Sequence, residues 1–166
     1  MECDPAGEGV THGEALLQCA FALAIWWHRA NWLIVYPYEG IGDDLPHGFA
    51  EKTLASLLGL TPGKSVRFIE YADKLIHWTG LTWNAQESTL AGSLLQTSIE
   101  AMILRVVEGF GGAVLTYEKK GPEPFPHEEL TEFSITPLGR ALLEAAAVTG
   151  TYPPQGLSGL FRIGLN

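Results

Sequence analysis

The sequence predicts a mostly α-helical domain carrying a small β wing, an α+β fold. Three observations point there. Apolar residues recur at helical spacing through most of the chain, as in "FAEKTLASLLGL" and "RFIEYADKLIHWTGL". Two short runs of alternation, 114–117 and 133–136, flank the proline-rich stretch 119–130 and read as the arms of a hairpin. At "SITPLGRALLEA" the period switches from strand to helix within two residues. Thr136 suits the cap of that helix and Pro137 its first turn, where no backbone N–H is needed.

The elements follow in order. Residues 1–12 are polar, acidic and glycine-containing, and read as a loose arm. Residues 13–31 read as a helix apolar on most sides, which predicts burial, with Cys19 as a small core residue. "WLIVYPY", 32–38, reads as a short strand that Pro37 confines to an edge, and 39–48 as a loop. A helix from Phe49, with Leu54, Leu57 and Leu58 inward, stops at Gly59; "TPGKSV" reads as a turn. The next helix turns Phe68, Ala72, Leu75, Ile76 and Thr79 inward and ends at Gly80. After the polar link "TWNAQEST", residues 90–110 form a third helix with a break at Gln96, Thr97 and Ser98. Its core stripe is Leu95, Ile99, Met102, Ile103, Val106 and Val107, which leaves Ser98, Glu100, Ala101, Arg105 and Glu108 outside. Glycines 111 and 112 stop it before the hairpin, and 138–148 form the closing helix. The chain thus divides into an N-terminal extension (1–48), a domain (49–148) and a tail (149–166).

The totals narrow the function classes. With 166 residues, 46% of them apolar, the chain can bury a sizeable core. Its formal charge of −9 repels phosphate backbones at long range and argues against non-specific nucleic-acid or anionic-membrane binding. Two cysteines make no disulfide framework, and the acidic start lacks the basic leader of a signal peptide, so a cytoplasmic setting is expected. The apolar run 15–35 is long enough to span a bilayer, but Gln18, His28, Arg29 and Asn31 interrupt it; a buried helix followed by a strand accounts for it better.

Catalytic chemistry finds no foothold. Glu70, Asp73 and His77 share one helix face, but no fourth ligand is indicated and Lys74 stands beside them, so a solvated face with local ion pairs is the better account. His12, Cys19 and His28 lack metal-ligand spacing, and "GFGG" is a helix stop without a phosphate-loop pattern behind it. No enzyme activity, metal or cofactor is expected.

From Phe49 to Val148 the order helix, turn, helix, link, helix, strand, proline-rich tip, strand resembles the winged helix. "GGAVLTYE" with "EFSITPLGRALLEA" is similar to the end of many winged-helix domains, where a strand reading F-x-(L/I)-T-x-x-G-R closes the wing. More loosely, "LLGLTPGKSVRFIEYADKLIHW" looks like winged-helix regions of bacterial helicase-associated proteins. The resemblance implies a third helix that enters a DNA groove and a wing that touches the backbone, with Ser98, Arg105, Lys119 and Lys120 as candidate contacts. It also implies that an N-terminal helix can pair with its twin. Charge opposes the DNA role: from Phe49 onward 12 acidic residues outnumber 9 basic ones, and Glu100 and Glu108 flank Arg105.

Aromatic residues suggest another use. Trp26 and Trp27 are neighbours and point about 100° apart on a helix, so one of them must meet a second surface, in this domain or beyond it. With Trp32, Tyr36 and Tyr38 they form a candidate interface with a protein partner or a second copy. Leu160, Phe161, Ile163 and Leu165 make the tail unusually apolar, which reads either as a docking segment or, preferably, as the start of a further region. The expected function is therefore a non-catalytic module for protein–protein interaction in a DNA-associated system, with a DNA-binding transcriptional regulator as the alternative.

Overall fold

The computed structural model describes residues 12–29, 45–83, 90–121, 124 and 126–150. Most of them are helical, and the remainder includes one small antiparallel sheet, so the α+β class holds. In chain order the elements are α1 (His12–Arg29), α2 (Phe49–Leu58), β1 (Val66–Arg67), α3 (Phe68–Thr79) and α4 (Ala91–Ile99). A π-helical turn (Glu100–Leu104) continues α4 into α5 (Arg105–Gly109). Then come β2 (Ala113–Lys120), β3 (His127–Ile135) and α6 (Pro137–Gly150).

The sheet runs β1-β3-β2, with β3 central and both pairings antiparallel. The hairpin arms are longer than the alternation indicated: Lys119 opposes Glu128 and Lys120 opposes His127, so these residues belong to the ladder rather than to the tip. The prolines lie only at 122, 124 and 126. The last pair of the ladder is Lys120 with His127, and a proline has no backbone N–H with which to extend it. A register shift at Thr116/Tyr117 inserts one residue into β3, so that Leu130 is buried on the same side as Phe133 and Ile135 despite the odd spacing. β1 was not visible in "TPGKSV"; its two residues pair Val66 with Phe133 and Arg67 with Glu132.

The core gathers one face from each helix. Phe49, Leu54 and Leu57 of α2, Phe68, Ala72 and Leu75 of α3, and Leu142, Leu143 and Ala146 of α6 are buried around Phe133 and Ile135. Tyr71 meets Phe133 edge-to-face at 5.0 Å and shares a 2.5 Å hydrogen bond with Ser56 Oγ; burial pushes its phenol well above the ordinary value. The break in the third helix falls later than Gln96–Ser98. Thr97 and Ser98 stay α-helical and return their hydroxyls to the carbonyls of Ser93 and Leu94. The π turn allows three consecutive residues, Met102, Ile103 and Leu104, to be buried, which the α period would not aim at one core.

The strand-to-helix switch behaves as its residues dictate. Thr136 Oγ1 accepts from the Gly139 backbone N–H at 2.9 Å, capping α6, and donates to Gly111 O at 2.9 Å. The Thr136 N–H donates to Gly112 O at 3.0 Å.

One helix departs from expectation. α1 is buried only through Leu23, Ala24 and Trp27, near its C-terminal end; residues 13–19, 21 and 22 are exposed. Cys19 is exposed too, and is not the core residue its apolar neighbours suggested. The helix packs chiefly on α6, and its buried residues all lie in its C-terminal half.

Candidate functional site

Two surfaces hold the residues that sequence reasoning selected. The first is formed by the third helix and the hairpin. Ser98 is fully buried and hydrogen-bonded to Leu94 O at 2.8 Å, so it is no contact residue for any nucleic acid. Arg105 is outward, but its Nε and Nη2 donate to one oxygen of Glu100 at 2.9 and 2.7 Å. Tyr117 of β2 donates its hydroxyl to the same oxygen at 3.0 Å, and Arg105 Cζ lies 5.8 Å from the Tyr117 ring centre. The Glu100 side chain is only 13% exposed, against 60% for Arg105, so the acid is the inner anchor of the cluster.

The electrostatics follow from that geometry. The hydrogen bond to Glu100 raises the Arg105 guanidinium above its already high value. Burial, and then the nearby Glu100 charge, push Tyr117 up to about 12. The guanidinium that the winged-helix resemblance offers to DNA thus already has its anion. Lys120 pairs with Glu129 at 3.1 Å, while Lys119 is exposed opposite Glu128. A cleft of about 420 Å³ lies beside this hairpin, and its cations are likewise matched, Arg67 to Glu70 and Lys120 to Glu129.

On α3, Glu70 takes Arg67 at 2.9 Å and Asp73 accepts from Gln96 Nε2 at 2.8 Å, while His77 is exposed. Among the described residues, no group of three or more histidine, cysteine, aspartate or glutamate side chains could hold a metal ion.

The second surface is α1. Trp27 is fully buried and donates its indole N–H to Ala50 O at 3.0 Å, which makes it a core residue rather than an interface residue. Trp26 is half-buried and meets Trp27 edge-to-face at 5.8 Å. His28 Nε2 lies 2.8 Å from Ala146 O; since a carbonyl only accepts, Nε2 carries the proton. Trp32, Tyr36 and Tyr38 lie outside the described residues. The residues that reasoning from aromatics missed are Leu16, Leu17 and Phe21, exposed by 41%, 71% and 36%. The signal that could have found them is the length of the apolar run: a stripe longer than the helix that covers it must overhang.

Among the described residues no helix is long and apolar enough to cross a membrane. No protein-family model matches the chain, and no curated protein or solved structure shows significant similarity to it.

Proposed function

We propose that the chain is a non-catalytic winged-helix module that acts by protein–protein interaction. The element order from α2 to β3, with a β1-β3-β2 sheet whose central strand leads into a capped helix, supports the winged-helix reading. The observation that carries the interaction reading is the exposed apolar half of α1, where Leu16 and Leu17 stand in solvent within an otherwise acidic chain. The DNA-binding alternative is weakened by what surrounds its contact residues. Ser98 is inside, Arg105 is held by Glu100, and Lys120 is held by Glu129.

The reading is tested by comparing wild type with Leu17→Glu as bait, followed by quantitative mass spectrometry of what each retains. Retention of a defined protein, or of the chain's own second copy, that is lost with Leu17→Glu is the expected result. Equal retention by both baits, combined with a salt-dependent shift of duplex DNA by the wild type, would replace the interaction reading with the DNA-binding one.

A further inference from the structure

We propose that the open edge of β3 is a docking site for an extended, lysine- or arginine-bearing segment of another protein, which adds to the sheet as a strand in line with β1. The site is separate from α1, so it goes beyond the interaction reading above and stands or falls without it.

The first observation is a mismatch of strand lengths. β3 has nine residues and pairs with β2 from His127 to Ile135, whereas β1 offers only two, Val66 opposite Phe133 and Arg67 opposite Glu132. On the β1 side, residues 127–131 have no strand partner among the described residues. An edge left in this way turns the N–H and C=O groups of alternate residues outward, a template for a further strand. β1 stops because the chain turns into α3 at Phe68. Beside that turn lies the cleft of about 420 Å³, walled by Arg67, Ile69 and Glu70 on one side and by Glu118, Thr131 and Glu132 of the hairpin on the other. Its volume is that of a ligand cleft. Ile69, 44% exposed, gives one apolar contact to a side chain of the added strand.

The second observation is charge, and it selects the occupant. Both cations of the cleft are taken, Arg67 by Glu70 at 2.9 Å and Lys120 by Glu129 at 3.1 Å. Glu132 accepts from the Ser65 hydroxyl at 2.6 Å, and among the described residues neither it nor Glu118 makes an ion pair. Two uncompensated carboxylates therefore stand beside the open edge. A lysine or arginine on the incoming strand supplies the missing cation. An acidic strand, a nucleic acid or a second copy with the same excess of acid meets repulsion there. The formal charge of −9 steers a cationic segment in the same sense over a longer range. Backbone pairing thus gives the affinity, and Glu118 and Glu132 set the sign of the side chains that are accepted.

Fluorescence anisotropy of the full chain with labelled heptapeptides tests this. One peptide alternates valine with lysine, the next has glutamate for lysine, and the last is the lysine peptide with proline at its centre. The lysine peptide should bind at least about tenfold more tightly than either of the others. Glu118→Gln combined with Glu132→Gln should weaken it by about tenfold, with circular dichroism confirming that the variant is folded. Bound peptide should also slow amide exchange within 127–131, and Leu17→Glu should bind it as the wild type does. Absent binding, indifference to proline, equal affinity for the glutamate peptide, an unaffected double variant or unchanged exchange in 127–131 overturns the proposal. Exchange already slow at every amide of 127–131 without peptide overturns it too. In that case the chain itself or a second copy fills the edge, and sedimentation velocity tells which. Binding lost with Leu17→Glu moves the peptide to α1, so the edge site falls while the interaction reading stands.

Discussion

Gly139, in the first turn of α6, lies against the backbone of Gly112, so that a methyl group at position 139 would land on the Gly112 carbonyl. This contact joins the end of the third helix to the start of α6, beside the Thr136 hydroxyl that bonds to both segments. Neither backbone can yield without breaking the bond from the Thr136 N–H to Gly112 O.

Gly139→Ala should therefore destabilise the fold by about 3 kcal/mol or more, since overpacking against backbone relaxes poorly. Gly92 is the control: a Cβ there meets nothing within 4 Å. Gly92→Ala should be neutral or stabilising by up to about 1 kcal/mol. Urea unfolding midpoints of the two variants check the pair; equal midpoints would contradict the close approach.

Ile135 is buried at the end of β3, opposite Ala113 of β2, whereas Val114 on that neighbouring strand is 55% exposed. Ile135→Ala should cost about 2–5 kcal/mol as a cavity-forming truncation. Val114→Ala should change stability by no more than about 0.5 kcal/mol. Amide exchange should show residues 133–135 among the slowest; rapid exchange there would rule out a central β3.

Glu100→Gln should lower the Tyr117 titration from about 12 toward the ordinary tyrosine value without reaching it, because burial is the larger cause. The sign of the linkage follows from the neutral phenol being favoured in the folded state. Its contribution to stability is complete below about pH 10, the unfolded value, and is lost as pH rises through about 12. With Glu100→Gln that loss should still begin at about pH 10 but be smaller and complete at lower pH. Phenolate absorbance, with Tyr117→Phe subtracted to isolate the residue, gives the titration. An unmoved Tyr117 would mean that Glu100 does not hold it.

Lys119→Ala combined with Lys120→Ala should leave duplex-DNA affinity unchanged at low salt, as measured by fluorescence anisotropy. The stability cost should be at most about 1 kcal/mol, since the Lys120–Glu129 pair is a surface ion pair. A drop in affinity with a flatter salt dependence would favour the DNA-binding alternative.

The parts of the fold that were legible in the sequence are those fixed by local chemistry. The Thr136-Pro137 switch, the Gly80 stop with its left-handed backbone and the inward face of α3 all depend on residues within a few positions of one another. The features that escaped depend on partners far along the chain. β1 is a strand only because Phe133 and Glu132 pair with it. Ser98 looked outward by its chemistry, but its hydroxyl is satisfied four residues back, which allows a polar residue into the core. Cys19 looked inward because its neighbours are apolar; nothing local reveals that α6 leaves that part of α1 uncovered. The Glu100–Arg105–Tyr117 cluster was half legible, since the acids beside Arg105 were plain in the sequence but the tyrosine arrives from the hairpin.

The π turn that begins at Glu100 and the bulge at Thr116/Tyr117 are each a single added residue, one absorbed by a helix and one by a strand pair. They touch: Tyr117 hydrogen-bonds to Glu100 across the junction. Losing one residue from 101–104 would rewind the helix as continuous α and leave Glu100 and Arg105 four apart, still neighbours on one face. The carboxylate would keep its guanidinium and its tyrosine. The loss would fall on the core, because the α period cannot aim three consecutive residues, Met102, Ile103 and Leu104, inward. The added residue in the helix thus serves the interior, while the carboxylate at its start ties helix to hairpin.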